Sequence, residues 1–175
     1  LVRAGKVRAL GASAMYAYQL HTMQDVALAN GWTPFSTMQS QYNLLYREDE
    51  HEMIPVCRQF GMALTPYSSL AAGRLTRPTW DAPTRRSETD EISQKKFDPM
   101  REQDEKVVAR VAELAERHDV PMAAIAVAWL WSRGVESPIV GCSRPERVDD
   151  AVAALDVELS AEELAYLEEP YVAHE

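Results

Sequence analysis

Cysteine, histidine and surplus positive charge are all scarce in this 175-residue chain, and each scarcity removes a class of function. The two cysteines, Cys57 and Cys142, follow no metal or redox spacing, so they read as reduced thiols and not as a disulfide framework. None of His21, His51, His118 or His174 pairs with a Cys, Asp or Glu at metal spacing. "HEMIP" at His51 opens like a zinc-protease helix but lacks the second histidine, so no metal is expected. A net charge of −9 gives a nucleic-acid partner no support. No apolar run approaches the ~20 residues of a membrane span, and no signal peptide opens the chain. The expectation is a cytoplasmic protein with neither membrane nor nucleic-acid partner.

What is present is ordinary for one globular domain: 46% hydrophobic and 26% charged residues, expected to form a single domain over 1–175. Short apolar runs alternate with amphipathic stretches, the pattern of a parallel α/β sheet. Strands are expected at Val7–Gly11, Phe35–Gln39, Met62–Pro66 and Pro138–Val140. Helices are expected at Tyr16–Asn30, Glu50–Phe60, Asp104–His118, Pro121–Arg133, Pro145–Leu155 and Ala161–Glu169. Ser160 and Glu163 supply a capping box for the last. The strands are nearly all apolar, as when both faces are covered. An open doubly wound sheet fits, and so does part of an eight-stranded (β/α) barrel. "LVRAGK" reads as the tail of a helix already under way, which favours about the last four β/α units of a barrel (a half-barrel) plus a C-terminal helix.

Residues 71–103 are too long for a plain connector and read either as a surface loop or as a lid over a ligand. They hold Arg74, Arg77, Arg85, Arg86, Lys95, Lys96 and Arg101 against Asp81, Glu88, Asp90, Glu91, Asp98 and Glu102.

Ligands in parallel α/β folds sit at the carboxyl ends of the strands. Those ends are Gly11-Ala12-Ser13, Gln39-Ser40-Gln41, Pro66-Tyr67-Ser68-Ser69 and Gly141-Cys142-Ser143. They are rich in amides, hydroxyls and small residues and poor in acids and bases, a set suited to holding a polar planar ligand. Tyr67 could stack on a heteroaromatic ring or sit in the core with its hydroxyl satisfied. In "SPIVGCSRPER", Ser143 and Glu146 form an S-x-x-E box, and Arg144 and Arg147 flank a helix start. That start is either an ordinary capped turn or an anion site.

On these residues the chain resembles the carboxyl-terminal half of an aldo-keto reductase over its full length. "AGKVRALGAS", "MQSQYNLLYRE", "LTPYSSLAAGRLT" and "SPIVGCSRPERVDDAVAAL" look like the approaches to the fifth to eighth barrel strands. "LSAEELAYLEEPY" looks like the terminal helix, and the long loops look closest to the bacterial branch. The resemblance implies an NADPH-dependent reductase of small aldehydes and ketones. Ser13 and Gln39 would bond the nicotinamide carboxamide, with Tyr67 stacked on its ring. Ser68, Leu70, Gly73 and Arg74 would line the pyrophosphate. Gly141, Ser143, Arg144 and Arg147 would surround the 2′-phosphate, and Asp150 would approach the adenine. Ala14 stands where many members carry Asn, Ala151 where they carry Asn beside the adenine, and a lysine common near the 2′-phosphate is replaced. The family's Asp-Tyr-Lys-His tetrad lies on the first four strands, so no catalytic residue is assigned. The chain alone is expected to be inactive, needing an N-terminal half, and an open half-barrel is expected to self-associate. Non-catalytic nicotinamide-binding module and inactive fragment are the alternatives.

Overall fold

The computed structural model describes residues 1–80 and 89–174. Three parallel strands, β1 (Gly11–Ser13), β2 (Thr37–Gln39) and β3 (Ala63–Leu64), lie side by side in chain order. Their register pairs Gly11 with Thr37, Ser13 with Gln39 and Met38 with Leu64. The expected fourth strand is not a regular strand. Residues 137–139 nevertheless run along β3, where Ser137 N–H bonds to the Leu64 carbonyl (3.2 Å) and Ile139 N–H to that of Pro66 (2.9 Å). Pro138, between them, has no N–H to extend a ladder. β1 begins at the end of its expected apolar run, because only Gly11–Ser13 find partners on β2.

Helices α1 (Ala17–Ala29) and α2 (Met53–Gln59) carry the chain from one strand to the next. α1 buries Ala17, Leu20, Gln24 and Ala27, one stripe at helical spacing. Gln24 is polar yet satisfied: its amide donates to the Phe35 carbonyl (2.9 Å) and accepts from the Phe35 N–H (2.8 Å). That pair pins α1 to the approach of β2. Both helices end in the same closure. After α1, Trp32 N–H bonds to the Ala27 carbonyl (2.8 Å) and Gly31 N–H to that of Leu28 (3.2 Å), with Gly31 at φ +61°. After α2, Met62 and Gly61 repeat it on Cys57 and Arg58. This Schellman geometry needs a left-handed residue, which glycine supplies without steric cost. Leu1–Lys6 form a turn with the same pair of bonds around Gly5.

The expected loop at 71–103 is more structured than its composition implied. It contains a kinked 3₁₀ segment (Ala71–Thr76), helix α3 (Glu91–Phe97) and a 3₁₀ turn (Asp98–Met100). The turn feeds directly into α4 (Arg101–His118), which therefore starts three residues before the expected Asp104. Trp80 and Phe97 are buried. Asp81, Arg85, Arg86 and Glu88 lie outside the described residues.

Helix α5 (Met122–Ser132) is buried from Ala123 to Leu130, as expected of an all-apolar helix wrapped by its neighbours. α6 (Glu146–Val152) runs into a 3₁₀ turn (Ala153–Asp156). The S-x-x-E box expected at Ser143 is not made. Pro145 already has right-handed helical angles at the cap position, and no side chain caps α6. The box expected at the start of α7 (Ala161–Glu168) is made, with Ser160 Oγ accepting from Glu163 N–H at 3.2 Å.

The sheet has one finished face. Ala12, Met38 and Leu64 point to the helical layer and are buried with Leu20, Ile54, Val107, Leu114, Ile125 and Trp129. The opposite face carries Gly11, Ser13, Thr37, Gln39 and Ala63, and none of these is buried. The expectation that both faces are covered does not hold for the described chain. The open face is also tight. A side chain at Gly11 would bring its Cβ within 2.5 Å of Thr37 Oγ1.

Candidate functional site

At the strand ends the backbone leaves regular structure in a run of strained turns. Ala14, Ser68, Ala71 and Ala72 all have left-handed φ, at +50°, +56°, +47° and +55°. For residues with a Cβ this conformation costs about 1–2 kcal/mol each, and it persists where the surroundings enforce it. The surroundings here are explicit. Asn43, fully buried, donates from Nδ2 to the Ser68 carbonyl (2.9 Å) while its Oδ1 accepts from Leu45 N–H (2.8 Å). Ala71 N–H bonds back to Ser68 and Gly73 N–H to Leu70, both at 2.8 Å. Thr76 Oγ1 closes the loop on the Gly73 carbonyl, also at 2.8 Å.

This loop and the chain after residue 137 enclose a cavity of about 490 Å³. Its walls include Tyr67, Ser68, Leu70, Gly73, Gly141, Ser143 and Arg147, so seven residues singled out from sequence meet in one place. Gly141 has no atom within 4 Å of where a Cβ would stand, which leaves room for a ligand against the backbone. Arg147 lies 3.8 Å from Asp150, a loose pair. Arg144 is exposed and, like Asp150, does not line the cavity.

Arg74 is placed elsewhere. It is buried, its guanidinium donates to Asp98 Oδ1 (2.7 Å) and sits over the rings of Trp80 (5.1 Å) and Phe97 (4.8 Å). Its role in the fold is to tie the 3₁₀ segment to α3. The cation of this segment that reaches the cavity, opposite Arg147, is Arg77, with Thr76 beside it. Burial, and then the charge of Arg74, lower the Arg77 pKa. Sequence reading named Arg77 only among the charges of residues 71–103 and did not single out Thr76. The left-handed Ala72 and Gly73 inside the segment turn Arg74 in and Arg77 out, and no periodicity in "GRLTRP" announces that kink.

Ser13 and Gln39 stand side by side on the open face, where Ser13 Oγ donates to the Gln39 carbonyl at 2.8 Å. Neither lines the larger cavity or a second one of about 350 Å³, but the residues that follow them, Ala14 and Ser40, form walls of the second, together with Gln41, Tyr46, Asp49, Tyr67 and Lys96 of α3. Tyr67 is common to both cavities, and its backbone N–H is fixed on the Ser40 carbonyl at 2.8 Å. Burial raises the Asp49 pKa against a hydrogen bond with Ser40, and burial lowers that of Lys96. Burial also raises that of Tyr46, with Asp49, Glu48 and Tyr67 adding to it. Three titratable groups are thus each biased toward their uncharged forms at one strand-end mouth.

The donor set around the larger cavity is hydroxyls, arginine and left-handed loop backbone, the chemistry that receives phosphate oxygens. The carboxyl ends of parallel β/α units are where such folds place their ligands. The chain belongs to the aldo/keto reductase family, whose model matches residues 1–171.

Among its relatives is the versiconal hemiacetal acetate reductase of Aspergillus parasiticus, 44% identical over 173 residues covering 98% of this chain and 50% of that protein. A putative aryl-alcohol dehydrogenase of Schizosaccharomyces pombe is 46% identical over 174 residues, 98% of this chain and 48% of that one. The aldo-keto reductase AMT2 of Alternaria alternata is 43% identical over 173 residues, 99% and 46%. The chain spans about half the length of the curated relatives it matches. These relatives are fungal, so the bacterial branch expected from the long loops finds no support. No helix among the described residues is long and apolar enough to cross a membrane.

Proposed function

We propose that this chain is the cofactor-binding, carboxyl-terminal half of an NADPH-dependent reductase of aldehydes and ketones. The observation that carries the reading is the larger cavity, where Tyr67 and Ser68 from the end of β3 meet Gly141, Ser143 and Arg147. Ser143 and Arg147 would hold the 2′-phosphate, with Arg144 within reach at the rim. Ser68, Leu70 and Gly73 would line the pyrophosphate, joined by Thr76 and Arg77. Tyr67 would face the nicotinamide ring, and Ser13 and Gln39 its carboxamide. Asp150 would orient Arg147 and stand nearest the adenine. When bound, the cofactor supplies a hydride to a carbonyl carbon. The chain's own contribution is to fix that ring at the strand ends, beside the smaller cavity where a carbonyl substrate would enter.

Direct titration tests this. NADPH is expected to bind the chain at least about tenfold more tightly than NADH, and Arg147→Ala to erase the difference without touching NADH. Equal affinities, or a preference that survives Arg147→Ala, would sink the 2′-phosphate assignment.

The partner of this reading is a complementary set of β/α units that supplies the proton donor. The open face of Ser13, Thr37 and Gln39 favours it, as do exposed Trp32 and Leu28 at one end and Val152 and Leu155 at the other. The half-barrel fold rests on the same observation, with residues 137–139 as its fourth strand. Sedimentation of the chain alone is expected to show self-association through these surfaces, and a clean monomer would count against them.

A further inference from the structure

The last residues of the described chain are held more firmly than a terminus requires. Tyr171 lays its ring under the Arg47 guanidinium (5.0 Å), donates its hydroxyl to Glu48 Oε1 (2.7 Å) and accepts from Arg47 N–H (3.1 Å). Three residues on, His174 is buried between two rings, edge-on to Tyr46 and to Phe97, each 6.0 Å away. Its Nε2 meets Asp104 Oδ1 at 3.0 Å, and both side chains are about 95% buried, at 5% and 4% exposure. The rings that His174 touches bear on the smaller cavity. Tyr46 forms part of its wall. Phe97 follows Lys96, another wall residue, whose Nζ lies over the Tyr46 ring at 4.9 Å.

We infer that residues 169–174 form a strap and that His174 is a positioning residue, holding Tyr46 and α3 in the places that shape the strand-end cavity. Two anchors, Tyr171 and His174, grip the segment 46–50 from one side. His174 reaches across to α3 and α4, and Glu169 at the start of the strap adds an ion pair to Arg110 of α4 (2.7 Å). Removing His174 takes away one of the side chains that pack on Phe97, Arg74 being another, and loosens the helix that carries Lys96. That the cavity admits a carbonyl substrate rests on the function proposed above, whereas the strap itself does not.

The anchor is titratable, which gives it a signature that packing alone lacks. The groups facing it are Asp104 from α4, the Lys96 main chain from α3, and Tyr46 and Glu48 from the segment after β2, with Arg74 acting on Asp104. The hydrogen bond that His174 donates to Asp104 raises its pKa against the effect of burial. A raised histidine pKa contributes stability below its unfolded value of ~6.5 and loses it as pH rises through the folded value. The strap therefore loosens on the alkaline side.

Hydrogen exchange of the full chain, without cofactor or substrate, tests the inference. In His174→Ala, amides of 46–50 and 91–97 are expected to exchange about tenfold faster at pH 6, with α5 unchanged. His174→Gln, which keeps a donor for Asp104, is expected to recover most of the protection, and His174→Phe, which keeps only bulk, is not. In the wild type, protection of both segments, corrected for intrinsic rates, is expected to fall between pH 6 and pH 9. Unchanged exchange in His174→Ala, full recovery by His174→Phe, or a flat pH profile would each overturn the strap. Because no ligand is present, none of these outcomes depends on whether NADPH binds.

Discussion

The two faces of the three-stranded sheet are finished differently. The outward face is a closed core in which Met38, Leu64 and Trp129 are almost wholly buried. The inward face is small, polar and bare, with Ser13 and Gln39 exposed beside a Gly11 that Thr37 leaves no room to enlarge. The contrast separates two jobs within three strands. The outer face holds the chain together, and the inner face and strand-end rim are where the function proposed above would place its ligand. Changes on the closed side should show in stability, and changes at the rim in ligand binding.

The largest effect is expected at Trp129. It is fully buried, packs on Tyr42 with centroids 5.2 Å apart, and donates from Nε1 to Glu168 Oε1 at 2.7 Å. Trp129→Ala should cost about 3–5 kcal/mol in urea unfolding, a large share of a small domain's stability. An ordinary unfolding midpoint in this variant would mean that the closed face is not where the stability lies.

Next comes the ion cluster that joins the segment after β2 to α7. Arg47 forks onto Glu50 through Nε (2.9 Å) and a terminal nitrogen (2.8 Å), and Tyr42 donates to the same carboxylate at 2.6 Å. Burial alone would raise the Glu50 pKa, but bonds from Arg47 and Tyr42, with charge from Arg47 and Arg133, bring it below the usual glutamate range. A lowered carboxylate pKa contributes stability that is present above ~4.3 and is lost as pH falls through the folded value. Glu50→Gln should cost on the order of 1.5–3 kcal/mol at pH 7 and make unfolding less acid-sensitive below pH ~4.3. An acid transition identical to that of the wild type would remove Glu50 from this account.

Asn43 lies on the border between the two faces, buried itself but gripping the strained Ser68. Asn43→Ala should cost about 1–3 kcal/mol for the polar groups it orphans, and should also weaken NADPH binding, because the loop after β3 loses its brace. Loss of stability without loss of affinity would show that the loop holds its own shape.

How far this was legible in the sequence follows the same division. Most helix positions were readable because their causes are local: the stripe on α1, the glycine after each of α1 and α2, the Ser160–Glu163 box; α3, inside a stretch read as a loop or lid, was not. Seven of the twelve site residues converge on one cavity because strand ends in parallel units converge by topology. What escaped notice depends on backbone angles that residue types do not announce. Ala72 and Gly73 swing Arg74 into the fold and bring Arg77 to the rim. Pro145 opens α6 by itself, so the box at Ser143 had nothing to cap. The bareness of the inner face escaped because short strands such as "VRALG" look apolar on both sides when read as a run, while only Gly11–Ser13 pair.

The smallest expected effect is also the finest test of the division. Ala14 holds φ +50° at the end of β1, on the wall of the smaller cavity, where the family resemblance leads one to expect Asn. Asparagine tolerates the left-handed region better than alanine does, and its amide can reach a ligand that a methyl group cannot. Ala14→Asn should therefore raise stability by roughly 0.5–1 kcal/mol through relief of backbone strain. It should also tighten NADPH binding a few-fold if the carboxamide lies over Ser13 and Gln39. The two readouts are separable. Ala14→Gly relieves the same strain without an amide, so it should reproduce the gain in stability and leave affinity where it was. If Gly and Asn tighten binding equally, the rim acts through its shape alone, and the carboxamide assignment to this corner of the open face is wrong.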